Sequence, residues 1–184
     1  MDSSYLAPVA QLMRDVPSTT QLVFSARFDA DHEFHARGPA ETDVESDAIV
    51  DVALTLQSFS GGLRAKGRVS APWFGVCRRC SVEVLGIADV RVDERFVDHP
   101  EPGDDEAYLI ENDFVDLAPM VHDAILLELP LAPLCREDCQ GLCPYCGIDR
   151  NEASCSCAAP VDPRWATLDG LRFADETSGD SKEA

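Results

Sequence analysis

Residues 50–71 read VDVALTLQSFSGGLRAKGRVSA, and this stretch decides the fold. Val50, Val52, Leu54 and Leu56 fall on one side of an extended chain, with Asp51, Ala53, Thr55 and Gln57 on the other. That period of two is the mark of a half-buried strand. Ser60-Gly61-Gly62 then supplies residues that tolerate positive φ in a tight turn, after which Leu63, Ala65, Gly67, Val69 and Ala71 alternate with Arg64, Lys66, Arg68 and Ser70. The stretch predicts a β-hairpin.

Outward from the hairpin, Val82, Val84, Ala88, Val90, Val92 and Phe96 alternate with Glu83, Asp89, Arg91, Asp93 and Arg95, which predicts a third antiparallel strand with Gly86 marking a bend or bulge. On the amino-terminal side, Leu22, Phe24, Ala26 and Phe28 alternate with Gln21, Ser25 and Arg27, a strand pattern broken by Val23. Residues 5–15 read as a short helix limited by Pro8. The acidic stretch that follows Phe28, with Gly38-Pro39, reads as an irregular connection, and His99 to Ala107 as a proline-rich loop. Asp116 reads as a helix cap with Pro119 in the first turn. Leu117, Val121, Ala124 and Ile125 line one face, Met120, Leu126 and Leu127 broaden it, and Pro130 ends the helix.

The expected class is therefore α+β: an antiparallel β meander or partly open barrel of at least four strands, with a buried helix at 116–129 and a C-terminal Cys-rich zinc module. The expected division is a β-rich core over 1–129, a zinc module over 130–173 packed on it, and a disordered acidic tail over 174–184, where no apolar residue anchors the chain.

The 184 residues carry 34 acidic and 15 basic side chains, a formal charge of −19. Such a surface repels phosphate backbones and suits a basic protein partner. Arg64, Lys66 and Arg68 form the concentrated basic stripe, and with Arg78 and Arg79 they are the candidate RNA contacts. The simpler reading of that stripe is a solvated strand face paired with acidic neighbours. No apolar run approaches the roughly 20 residues that span a bilayer, and the amino terminus lacks a basic segment followed by an apolar core. A cytoplasmic protein with reduced thiols is expected.

Eight cysteines occupy 77, 80, 135, 139, 143, 146, 155 and 157. Cys143-Pro144-Tyr145-Cys146-Gly147 is a zinc-knuckle sequence, in which a C-x-x-C turn brings two thiolates onto one ion. Two groupings satisfy the spacing. The preferred one places Cys77, Cys80, Cys135 and Cys139 on a first Zn2+ and Cys143, Cys146, Cys155 and Cys157 on a second. The other joins Cys135, Cys139, Cys143 and Cys146, leaving Cys77 and Cys80 with Cys155 and Cys157. Eight thiols for two closed tetrahedral sites leave no open position for catalysis. A thiol-redox use of Cys77-Arg78-Arg79-Cys80 is disfavoured, because thioredoxin-like motifs open a helix and strands flank this one. His32, His35, His99 and His122 are scattered without ligand spacing, and no nucleophile elbow, phosphate loop or dinucleotide fingerprint is present. No enzyme is expected.

CRRC after a strand, NDFVDLAPMVHDAILLELPLAPLC, CREDCQGLCPYCG, the CSC pair and DPRWATLDGL occur in this order. Together they resemble the YceD family of large ribosomal RNA subunit accumulation proteins over residues 20 to 173. The resemblance implies a non-enzymatic ribosome biogenesis factor that supports accumulation or processing of large-subunit ribosomal RNA. It further implies a genomic association with a small zinc-binding ribosomal protein of that subunit. It also favours the preferred cysteine grouping. The expected partner is a basic large-subunit ribosomal protein or a pre-ribosomal particle, with direct RNA binding weak or indirect and no membrane. A zinc-ribbon RNA-binding module and a thiol redox sensor are the alternatives.

Overall fold

The computed structural model describes residues 3–28, 42–100, 107–158 and 164. The expectations for the acidic stretch after Phe28, for residues 101–106 and for the tail over 174–184 lie outside the described residues. The chain forms two compact units, Met1–Gly141 and Leu142–Ala184. The expected boundary after residue 129 is thus displaced. Pro130 stops the helix but not the unit, because Cys135 and Cys139 belong with the CRRC turn.

The first unit is mostly β, not evenly α+β. Among the described residues its seven strands are β1 (Leu6–Pro8), β2 (Thr19–Arg27), β3 (Ile49–Phe59), β4 (Gly62–Val76), β5 (Glu83–Val97), β6 (Tyr108–Glu111) and β7 (Phe114–Asp116). The helices α1 (Ala10–Arg14) and α2 (Ala118–Glu128) are short. One sheet runs β1-β7-β6-β5-β4-β3-β2. The expected all-antiparallel meander holds from β2 to β5, but β6 lies parallel to β5, with Phe96 opposite Tyr108 and Val97 opposite Leu109. Tyr5, just before β1, donates its hydroxyl to the Arg27 carbonyl of β2 at 3.0 Å. Its ring also stands edge-on to Phe24 with centroids 5.7 Å apart. The two sheet edges therefore approach one another, the geometry of a partly closed barrel.

The hairpin of β3 and β4 pairs Phe59 with Gly62, so Ser60-Gly61 alone forms the turn. Gly61 has φ +91, whereas Gly62 is a strand residue that leaves room for the Phe96 carbonyl, which a Cβ would overlap. Of the expected bend or bulge at Gly86, the bulge is absent: the β4–β5 register runs unbroken, with Trp73 opposite Gly86 and its indole covering the space a Cβ would need.

Residues 5–15 do not form one helix. Pro8 lacks a donor but sits acceptably on a short edge strand, so Leu6–Pro8 pairs with β7 and only Ala10–Arg14 is helical. β6 and β7 were not anticipated, although their turn Asn112-Asp113, with φ 51 and 65, is a recognisable two-residue hairpin signal. The expected cap is displaced: Leu117 is the N-cap of α2 and makes no side-chain cap bond, while Asp116, the last residue of β7, accepts the Ala118 amide on Oδ1 at 2.9 Å.

Core side chains come from alternate positions of β3, β4 and β5, which meet Met120, Val121 and Ile125 of α2. Each such large side chain contributes about 1.5–3 kcal/mol by leaving water. His122 is buried and stacks on Phe28 at 4.6 Å. Leu127, expected on the buried face, is 87% exposed, because the inward arc of α2 is narrower than its apolar composition suggests.

Candidate metal centres

The first centre grows out of the β4–β5 ribbon. After Val76 the chain turns through Cys77–Cys80, closed by the Ser81 amide on the Cys77 carbonyl and the Cys77 amide on the Val82 carbonyl, both 2.8 Å. Ser81 takes φ 59 to complete it. Opposite lies the segment after α2, whose Pro133 carbonyl accepts the Arg78 amide at 3.0 Å. Arg79 Nη1 donates to the carbonyls of Cys139 at 2.8 Å and Glu137 at 3.3 Å. These bonds bring Cys77 Sγ within 3.8 Å of Cys139 Sγ and Cys80 Sγ within 3.6 Å of Cys135 Sγ. Cys77, Cys80 and Cys139 are buried with Val84 and Leu134 around them, and Cys135 is exposed.

The second centre lies in the second unit. The Cys143 amide donates to the Ile148 carbonyl at 2.8 Å and the Gly147 amide to the Cys143 carbonyl at 2.9 Å, with Gly147 at φ +73. Asp149 Oδ1 accepts the Asn151 amide at 2.8 Å and steers the loop back towards Cys155 and Cys157. Arg150 Nη2 lies 3.8 Å from Cys143 Sγ. Cys143 is buried, Cys155 half-buried, and Cys146 and Cys157 exposed.

In each group of four, the Sγ atoms all lie within 4.8 Å of one another. The structure thus builds the grouping 77/80/135/139 with 143/146/155/157, and not the alternative. Either group can hold a metal ion. The electrostatics suit a cation. Burial raises the Cys77 thiol, but backbone amides of Cys135, Arg79 and Cys80 outweigh it and bring it down to about 6. Amides of Cys146 and Tyr145 bring Cys143 to about 6 as well. Desolvation and its thiol neighbours push Cys135 up to about 12, and Cys146 first among its neighbours does the same to Cys157. Four sulfurs this close cannot all ionise unless positive charge stands among them.

Arg64, Lys66 and Arg68 lie on the outer face of β4. Arg64 makes a bidentate pair with Asp93 at 2.5 and 2.8 Å, Lys66 reaches the same carboxylate at 3.3 Å, and Arg68 pairs with Asp89. Arg64 and then Lys66 hold the Asp93 carboxyl below its usual range. Arg78 is exposed, while Arg79 is engaged in the carbonyl bonds above. Reading the sequence one strand at a time hid that Arg95 stands opposite Arg64 and Arg91 opposite Arg68. The clamp by Arg79 and the placement of Arg150 carried no sequence signal either.

The sequence model of the large ribosomal RNA subunit accumulation protein YceD matches residues 65–172, spanning both centres. The chain belongs to the YceD family. An uncharacterized protein of Mycobacterium tuberculosis is 36% identical over 131 residues, 68% of this chain and 63% of that protein. An uncharacterized protein of Mycobacterium leprae is 30% identical over 151 residues, 76% of this chain and 69% of the other. YlbN of Bacillus subtilis, also uncharacterized, is 33% identical over 106 residues, 55% of this chain and 62% of its own. The match to this YceD-family chain thus spans less than two thirds of the Mycobacterium tuberculosis relative's length. No solved structure matches it significantly. Among the described residues, no helix is long and apolar enough to cross a membrane.

Proposed function

We propose that this protein is a non-enzymatic, cytoplasmic zinc protein that supports accumulation of large-subunit ribosomal RNA by contacting a basic ribosomal protein or a pre-ribosomal particle. The family supplies the link to ribosomal RNA. The observation that carries the mode of action is the pairing of Arg64, Lys66 and Arg68 with Asp93 and Asp89, which offsets most of the charge of the basic stripe in a chain of charge −19. With those three cations set against carboxylates, a surface this acidic attracts basic protein more than phosphate.

Zinc is the metal that suits two all-thiolate groups. A tetrahedron with Zn–S of about 2.3 Å has sulfurs about 3.8 Å apart, and the first group shows 3.8 and 3.6 Å. Four thiolates close the coordination sphere, so the role is structural.

The test is affinity purification of the tagged protein from cells, with nuclease treatment before elution. A basic large-subunit protein should remain bound after nuclease and dissociate with added salt. Neutralising Asp104, Asp105 and Glu106, which lie outside the described residues, should weaken that contact. Loss of every partner on nuclease treatment would overturn this reading.

A second reading rests on one specific observation. Arg64 faces Arg95 and Arg68 faces Arg91 across β4 and β5. Like charges directly opposite are unfavourable, and Asp93 and Asp89 already lie against Arg64 and Arg68, so RNA would have to compete with those carboxylates. The concentration of cations supports an RNA-binding face, and naked large-subunit RNA bound tightly at physiological salt would establish it.

A further inference from the structure

The two centres differ in a way that nothing in their composition reveals. The first buries three of its four thiols, at 1%, 5% and 2% exposure for Cys77, Cys80 and Cys139, among Val84 and Leu134. Its two halves are also tied by bonds that involve no sulfur, from Arg78 to Pro133 and from Arg79 to Cys139 and Glu137. The second buries Cys143 alone, at 2%, and presents Cys146 and Cys157 to solvent with Cys155 half-exposed. Arg150 lies against the buried Cys143 sulfur.

We propose that the second centre is a site of reversible oxidation, with Cys146 and Cys157 as the reacting pair, while the first centre is inert under the same conditions. The inference rests on the reading that both centres hold metal. The co-reactant is a hydroperoxide. An exposed thiolate, Cys157 or Cys146, attacks the peroxide so that an S–O bond forms and the O–O bond breaks; the alkoxide leaves and takes a proton from water. The other thiolate attacks the resulting sulfenic sulfur, the S–S bond forms, and hydroxide departs. Two electrons pass from the two sulfurs to the peroxide. The sulfurs of this group lie within 4.8 Å of one another, which places the two thiols close enough to meet after local rearrangement. Only Cys143 and Cys155 then remain as donors, too few for a closed tetrahedral site. A thiol reductant reverses the step.

The experiment begins with the metal content of the full chain as purified, then adds dilute hydrogen peroxide in the presence of a chromogenic chelator. Cysteines are alkylated at intervals and mapped by mass spectrometry. The expected result is loss of half the metal in a phase at least about tenfold faster than the rest, with the early disulfide confined to peptides containing Cys146 and Cys157. Dithiothreitol plus added zinc should restore the starting content. Release of both halves together, or early oxidation at Cys77, Cys80, Cys135 or Cys139, overturns the proposal. Fewer than two ions at the outset would refute the metal reading instead, and the order of thiol oxidation would still decide this one.

Discussion

The Arg79 guanidinium donates to the Cys139 carbonyl at 2.8 Å across 60 residues of sequence. The first centre is thereby held together partly by a side chain that carries no ligand atom. Arg79→Ala should lower unfolding free energy by about 1–2 kcal/mol, the worth of a charge-assisted hydrogen bond, and loosen metal at the first centre only. Arg79→Lys should recover part of this, since an ammonium keeps one donor but not the fork. Chemical denaturation and chelator competition read the two effects; unchanged metal affinity in Arg79→Ala would sink the clamp.

Cys80→Ser should damage the fold more than Cys157→Ser. Cys80 lies 3.6 Å from Cys135, 55 positions along the chain, so its centre ties the β4–β5 ribbon to the segment beyond α2. Cys157 closes a local loop. Each variant should retain one ion by elemental analysis, with the larger drop in melting temperature in Cys80→Ser. Equal drops would contradict the staple.

Metal loading should release protons. Without an ion, Cys135 and Cys157 sit at about 12 and carry protons at neutral pH, so binding must expel at least one from each centre. Because ligands must be thiolates, affinity falls as pH falls, and it collapses once Cys77 and Cys143, at about 6, protonate as well. Indicator titration in weak buffer should detect the protons, and an acid series should show metal loss steepening near that pH.

Gly62→Ala should be worse than Gly61→Ala. At Gly61 a methyl group meets open space and only φ +91 opposes it, about 1 kcal/mol. At Gly62 it overlaps the Phe96 carbonyl, so β4 and β5 must move apart, about 1–3 kcal/mol or more. Urea midpoints give the comparison, and the reverse order would contradict the turn assignment.

Asp89→Asn together with Asp93→Asn should uncover the cations of β4 and raise affinity for RNA, with a steeper salt dependence than the parent protein shows. Filter binding over a salt series measures both. If RNA affinity does not change, the aspartates do not mask that face.

The alternation from Val50 to Ala71 and from Val82 to Phe96 made the central ribbon legible, because one buried face imposes a period of two. It could not show β6 running parallel to β5, since a two-pair ladder leaves no periodicity of its own. Nor could it show that Gly86 serves Trp73, a partner chosen by register across strands. The cysteine spacing named the ligands but left two groupings open. The Arg78 amide on Pro133 and the Arg79 guanidinium on Cys139 separate them, and these are long-range contacts without a motif.

The CRRC turn lies at the tip of the β4–β5 ribbon, and its sulfur partner Cys139 lies 62 positions further on. The second centre spans only residues 143–157. Closing the longer loop costs roughly 1 kcal/mol more in chain entropy, a small difference beside the order it imposes in time. A chain emerging from the ribosome has both β strands and their exposed thiol pair long before residue 139 is made. Capture of the first ion is therefore tied to completion of α2 and of the segment that carries Cys135 and Cys139. A chain truncated before that point holds a half-set of donors, a mark by which unfinished copies differ chemically from finished ones.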